Sequence, residues 1–408
     1  MLTLAPLQRS VQKNPYLWVC FAMIVGVMGT ALASPLYPLY QQAWHLNAGD
    51  ITLLYVVYMG SALSSLLFLG RLSDQQGFLF VLRGGLIVVT IGILFSTLAW
   101  SYWSFMLSRV VIGLGSSLIV TSASIGLNKL NRSKDLQRAA ATTSLLIAFG
   151  FGLGPLLGGL IAQWATAPLR SSYFPSIVMG VLAIYSMFML SAQDHKPEAN
   201  PNKPQKAFWR PSLHIPLAKA RPPFLLAAAA AFAAFAMFSL FASLAPSFMH
   251  DMVPWHGPAV SGISISVILF MSSGFQLLAR RWHLKHSLIL GLIAFILSCL
   301  LLIINLQHAS VWLFSSAVLS LAFGHGLCLI AGMGIVNRVA LPEHRSATTS
   351  SYLIMAYLGA ILPIITTGFL ANQLGLQTAL IAFCVALSLF CLILLIMTTL
   401  KLSKSIAL

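Results

Sequence analysis

Long apolar runs separated by short polar connections are the dominant pattern of this chain. Crossing a hydrocarbon core takes about 20 helical, mostly apolar residues. Runs of that kind fall near residues 17–40, 51–69, 82–100, 104–128, 140–164 and 173–190, and then near 224–249, 259–278, 287–304, 311–336, 347–370 and 378–399. Twelve membrane-spanning helices are predicted. The proline-bearing ends of the first and seventh runs leave those two boundaries open.

One connection is longer than the others. Residues 191–223, "SAQDHKPEANPNKPQKAFWRPSLHIPLAKARPP", are rich in Pro, Lys and Arg and divide the chain six plus six. This predicts a bundle over 1–190, a flexible cytoplasmic linker over 191–223 and a second bundle over 224–408. Lys203, Lys206, Arg210, Lys219 and Arg221 are placed to rest against anionic headgroups. An internal repeat supports the division. At an offset of 206, "ATTS" of 141–144 recurs at 347–350, and Gly85-Leu86 recurs as Gly291-Leu292. Both matches open a span just after a basic loop. The expected fold class is all-α, two pseudo-symmetric six-helix bundles, with a transport site where the repeats meet near the midplane.

Composition agrees with a lipid environment. Of 408 residues 59% are hydrophobic and 7% charged, against roughly 25% charged in soluble domains, and the mean hydropathy is +0.90. The net charge of +16 then becomes a matter of topology. With the amino terminus inside, all of the 23 Lys and Arg except Arg109 and Arg170 fall on the cytoplasmic side, as the positive-inside rule requires. Both termini are therefore expected in the cytoplasm, with the protein in a bacterial inner membrane. No folded basic surface is left for nucleic acid. The first run is too long for a signal-peptide core and is expected to be a retained span. Cys20, Cys299, Cys328, Cys384 and Cys391 all lie in apolar segments, with no disulfide framework or metal-ligand spacing, so no metal and no cofactor is expected.

Charge inside a span is costly, at least roughly 2.5 kcal/mol for an arginine at mid-helix, and usually faces the bundle interior. Arg109 is such a residue. The seven acidic residues, Asp50, Asp74, Asp135, Asp194, Glu198, Asp251 and Glu343, fall in loops or at span edges, so none is offered to it at mid-membrane. Two readings stand: an arginine held by carbonyl, hydroxyl or amide groups, or one that handles substrate or protons. His325, in "AFGHGL", titrates in a workable range, or is a neutral histidine bonded between helices. Asp50 is either a desolvated carboxyl or the cap of the helix that "NAGDITLL" begins. Phe232, Phe235, Phe238 and Phe241 recur at intervals of three before Pro246. Most of them are expected to pack helices or face lipid. The loop "GRLSDQQG" permits a tight reversal at Gly70 and Gly77, and Asp74 can accept from the amide groups of a neighbouring helix start.

At these residues the chain resembles the major facilitator superfamily, in its branch of twelve-span drug and metabolite exporters coupled to protons. Gly70, Leu72, Ser73, Asp74 and Gly77 match the superfamily's signature loop, whose usual basic residues are replaced here by Gln75, Gln76, Phe78 and Leu79; Arg71 and Arg83 are the available substitutes. Gly29, Pro35 and Pro38 of "MGTALASPLYP" match the branch in the first span, and Arg109, Gly113 and Gly115 match it in the fourth. Gly150, Gly154, Pro155, Gly158 and Gly159 of "GFGLGPLLGG" match its antiporter motif in the fifth. In lipid a helix persists despite glycine, and small residues become contact surface. Gly150, Gly154 and Gly158 share a face that would let a helix of the other half approach, with Pro155 supplying a bend; ordinary small-residue packing is the alternative.

The resemblance implies that spans one, four, seven and ten line a central cavity, that some of the seventh-span phenylalanines wall it for an amphiphile, and that the fifth-span seam favours exchange over leak. A cavity holding an arginine and a histidine but no carboxylate suits a neutral or anionic amphiphile better than an organic cation. The expected function is export of such compounds by alternating access in exchange for protons. A dedicated metabolite or siderophore exporter, or an uptake permease, is the alternative. No convergent nucleophile or carboxylate pair suggests an enzyme. The expected partners are a small-molecule substrate, protons and lipid, and a monomer is expected.

Overall fold

The computed structural model describes residues 5–131, 136–191, 211, 213–217, 220–249 and 252–405. Twelve helices among them are long and apolar enough to cross a membrane: α1 (Pro15–Trp44), α2 (Ala48–Leu69), α3 (Phe78–Thr97), α4 (Tyr102–Leu130), α5 (Thr142–Trp164), α6 (Pro168–Phe188), α7 (Arg221–Ser243), α8 (Pro258–Arg281), α9 (Leu284–His308), α10 (Val311–Val339), α11 (Arg345–Leu374) and α12 (Leu376–Leu400). No strand occurs among the described residues. Most of the 191–223 connection lies outside them, including Lys203, Lys206, Arg210 and Lys219, as do Asp135, Asp194, Glu198 and Asp251.

Proline and capping chemistry explain the boundaries. α1 is regular to Ala31, tightens to a 3-10 turn over Ser34–Leu36 and resumes over Tyr37–Trp44. Pro35 sits in the tight turn, and Pro38 in the first turn of the resumed helix, where a missing N–H costs no bond. His45, at φ 53°, ends the helix by donating its N–H to Gln41 O. α7 likewise stops at Ser243, and the chain restarts as Ala245–Phe248 with Pro246 in its first turn. α4 begins at a capping box: Ser101 Oγ accepts from Ser104 N, and Ser104 Oγ accepts from Ser101 N at 3.0 Å.

Packing divides the chain into two compact units, Met1–Ala33 with Gly60–Pro211, and Ser34–Met59 with Ser212–Leu408. The carboxyl-terminal part of α1 and the first half of α2 thus pack in unit two, a grouping that a cut at the linker does not produce. The halves repeat their helix pairing. A methyl group at Gly115 would lie 3.0 Å from Gly85 O, which brings α4 onto α3 in unit one; at Gly324 it would lie 2.9 Å from Gly291 O, which brings α10 onto α9 in unit two. The second "ATTS" copy has a further use. Thr348 Oγ1 lies 3.2 Å from His214 Nδ1, and the adjoining Ser351 accepts from His214 N at 3.0 Å, while the His214 ring stacks on His344 at 4.3 Å.

Candidate functional site

α7, α8 and α10 assemble a polar spot inside an aromatic surround in unit two. Residues one turn apart share a helix face, so α7 presents Phe235 beside Ser239 and α8 presents Ser272 beside Gln276. His325 on α10 is 6% exposed, with its Nδ1 2.8 Å from Ser272 Oγ. Gln276 Nε2 donates to that same oxygen at 3.4 Å. The rings of Phe238 and Phe235 lie 5.8 and 6.4 Å from the imidazole, and Tyr357 of α11 is 6.0 Å from Phe235. A separate polar pair sits on α7, where the Tyr55 hydroxyl of α2 lies 3.2 Å from Ser239, which donates to Phe235 O.

The four phenylalanines spaced by three separate into different environments. Phe241 is fully buried against Phe248 and Phe314, and Phe232 meets Phe390 of α12. Phe235 and Phe238 are half-buried and flank the histidine. A period of three drifts around a 3.6-residue turn, and the row crosses from one surround to the next.

Arg109 is 1% exposed and built into unit one. Its Nη2 donates to Ser96 Oγ at 2.8 Å and its Nη1 to Thr30 O at 3.5 Å, and the guanidinium lies 4.9 Å from the centre of the Phe105 ring. Ser96 is in turn 2.9 Å from Ser108, which donates to Phe105 O. The charge is thus held by hydroxyl, carbonyl and π-face, with no carboxylate among its partners, and Nε has no hydrogen-bond partner.

Asp50 and Asn47 cap the start of α2 reciprocally: Asn47 N donates to Asp50 Oδ2 at 3.0 Å, and Asp50 N donates to Asn47 Oδ1 at 2.9 Å. Asn372 of α11 joins this cap, accepting from Gly49 N and donating to Asn47 Oδ1, both at 3.0 Å. In the 70–77 loop, Leu72–Gln76 form a short helix and Gly77 takes φ 87°, as the tight reversal requires. Arg71 and Gly70 precede it, half-buried. The Asp74 carboxylate is exposed and bonds to nothing among the described residues, so the expected lock onto a neighbouring helix start is not formed there. Arg83 does not replace the loop's basic residues either. Its Nη2 donates to Met187 O at 2.8 Å and to Leu190 O at 2.6 Å, closing the carboxyl end of α6, where the helix dipole favours a cation.

The fifth-span glycines also correct an expectation. They face α1 of the same unit rather than a helix of the other half: a methyl group at Gly150 would lie 2.8 Å from Ile24 O, at Gly158 2.7 Å from Leu32 O, and at Gly154 it would meet Met28 O. Gly159 is buried, and Pro155 sits inside an unbroken helix. Gly29, on the other side of α1, faces Ile93 of α3. In unit two Gly359 of α11 meets the Phe232 backbone of α7, so the five-to-one contact is repeated as eleven-to-seven.

Sequence reasoning found His325, Phe235 and Phe238 but not Ser239, Ser272, Gln276, Tyr55, Tyr357 or Asn372. Serines, a glutamine and tyrosines in apolar helices are common enough to carry no signal singly. A helical-wheel reading of α8 that noted Ser272 and Gln276 one turn apart would have marked two of them.

Residues 19–287 match the family model described as Major Facilitator Superfamily. The chain is 25% identical over 179 residues to Multidrug resistance protein 2 of Bacillus subtilis (strain 168), and 25% identical over 178 residues to Quinolone resistance protein NorA of Staphylococcus aureus. Each alignment covers 44% of this chain and 44% of the relative, so the chain matches less than half the length of these curated relatives. Among solved structures it is similar to a bacterial homolog of the human lysosomal transporter Spinster, with TM-score 0.72 and 16% identity over 97% of each chain. It is also similar to the POT family transporter PepTSo, with TM-score 0.75 and 12% identity over 95% of this chain and 98% of that one. At these identities the likeness is one of fold.

Proposed function

This chain belongs to the Major Facilitator Superfamily, and on that premise we propose that it exports small neutral or anionic amphiphiles, drugs among them, in exchange for protons. The observation that carries the substrate class is the His325 cluster: aromatic rings, a histidine, serines and a glutamine meet there, with no carboxylate bonded to them among the described residues. A lipophilic cation entering a low-dielectric site loses several kcal/mol of hydration, more than the about 2 kcal/mol that a desolvated ring face returns, and so needs an opposite charge. A neutral or anionic aromatic compound needs only apolar area and a few hydrogen-bonding groups. The drug-resistance names of the partial-length relatives support export over uptake.

Transport then proceeds by alternating access, one site opening to the cytoplasm and to the outside in turn, in a bacterial inner membrane with both termini cytoplasmic and the protein acting as a monomer. Transport rather than catalysis follows from the family and the fold.

The test is accumulation of a panel of neutral, anionic and cationic aromatic compounds in cells with and without the gene, before and after an uncoupler collapses the proton gradient. Lower accumulation of the neutral and anionic members, abolished by the uncoupler, is the expected result. Robust proton-dependent ethidium export by the purified protein in liposomes overturns the substrate class.

A further inference from the structure

The serines of α8 show what the hydroxyl at Ser272 does. Ser264, Ser266 and Ser273 each donate to the carbonyl one turn back, at 2.9, 2.7 and 2.9 Å. This is the ordinary satisfaction of a hydroxyl in a span. Ser272 makes no such bond. With the Gln276 amide turned so that Nε2 faces Ser272, the Ser272 oxygen accepts from it at 3.4 Å, and the acceptor left for the hydroxyl proton among the described residues is His325 Nδ1 at 2.8 Å. The Ser272 hydroxyl therefore donates to the imidazole, which leaves Nδ1 bare and puts the proton of the neutral ring on Nε2.

Nε2 has no hydrogen-bond partner among the described residues, although the side chain is 94% buried, the complement of its 6% exposure. Two rings flank the imidazole, those of Phe238 and Phe235, and they offer faces and no lone pair. A donor fixed by a relay from Gln276 through Ser272, and left open among half-buried aromatic rings, is arranged for an acceptor that arrives from outside the protein.

We infer that neutral His325 presents Nε2–H as the hydrogen-bond donor of the substrate site, that Ser272 is the positioning residue which sets this tautomer, and that the site takes aromatic compounds bearing a carbonyl or carboxylate oxygen. The inference rests on the transport reading above and deepens it. It assigns His325 to recognition of the substrate oxygen and leaves proton carriage to another group.

The test uses the full-length protein in lipid nanodiscs, with empty nanodiscs subtracting partition into lipid. Three probes of one size are compared by equilibrium binding: 2-acetonaphthone, 2-naphthoate and 2-isopropylnaphthalene, which lacks the oxygen. The two oxygen-bearing probes are expected to bind about three- to tenfold more tightly than the hydrocarbon, the worth of one hydrogen bond. The preference falls toward one in Ser272→Ala and is kept in Ser272→Thr. Nitrogen-15 NMR of histidine-labelled protein, with His325→Gln identifying the signal, reads a protonated Nε2 and a bare Nδ1 in the parent and loses that pattern in Ser272→Ala. Equal binding of all three probes, a preference unchanged in Ser272→Ala, or a bare Nε2 overturns the inference alone. Failure of the parent protein to bind any of the three removes the transport reading of this site and the inference with it.

Discussion

Replacing Gly154 by alanine is the most informative single perturbation of the fold. The added methyl group would meet Met28 O and lie 3.1 Å from Leu32 N, both backbone atoms of α1. No rotamer relieves a contact with backbone, so α1 and α5 must separate. Overpacking of a tight contact costs about 1–3 kcal/mol. Gly29→Ala, on α1, differs in kind, because its methyl group meets the Cδ1 end of Ile93. Trimming that atom with Ile93→Val should recover most of the Gly29→Ala loss, whereas Leu32→Val should recover little of the Gly154→Ala loss. Gly84→Ala, which points into open space, is the control and should stay near the parent. Thermal unfolding of the purified protein, followed by circular dichroism in one detergent, ranks the variants. If Gly154→Ala melts with Gly84→Ala, or if Leu32→Val rescues it, the backbone contact between α1 and α5 is not what these glycines provide.

Three further predictions come from single contacts. Arg83→Ala removes the donors to Met187 O and Leu190 O and should destabilise the protein by about 1–3 kcal/mol, seen as a lower melting temperature with substrate selectivity intact. Asp50→Ala breaks the cap with Asn47 and should cost about 0.5–2 kcal/mol, while Asp50→Asn keeps an acceptor and should leave substrate-driven proton flux unchanged; a flux lost in Asp50→Asn would make Asp50 a proton carrier. Asn372→Ala strands Gly49 N and removes one of the two donors to Asn47 Oδ1 and should speed hydrogen exchange at residues 47–52, with no change at the Ser101 cap of α4.

The fold was legible because its causes are local and repeated. Twelve apolar runs report one constraint, that backbone polar groups in lipid must be satisfied within a helix, and a 206-residue offset repeats it. Where a helix ends depends on finer chemistry, and there the readings drifted. Pro35 and Pro38 break α1 rather than end it, and His45 stops it only eight residues after Tyr37 restarts it. Gly150, Gly154 and Gly158 announce a close approach by their spacing, but nothing in spacing names the neighbour. The repeat held that information, since Gly359 stands close to the equivalent place against α7.

The site was legible only in its rarest members. An arginine or a histidine inside a span is expensive and therefore visible. Ser272 and Gln276 cost little in an apolar helix and become meaningful only when α8 brings them to His325. Arg83 misled because a cation near a signature loop was read by sequence distance, whereas the end of α6, over 100 residues later, provides the carbonyls that hold it.

Transport by the purified protein in sealed liposomes, with an imposed proton gradient and an interior pH dye, tests the central claim most directly. Addition of 2-naphthoate or 2-acetonaphthone should move protons across the membrane in the direction opposite to the added compound, and ethidium should move none. Proton movement with ethidium, or naphthoate and acetonaphthone crossing at the rate of empty liposomes, would contradict the account.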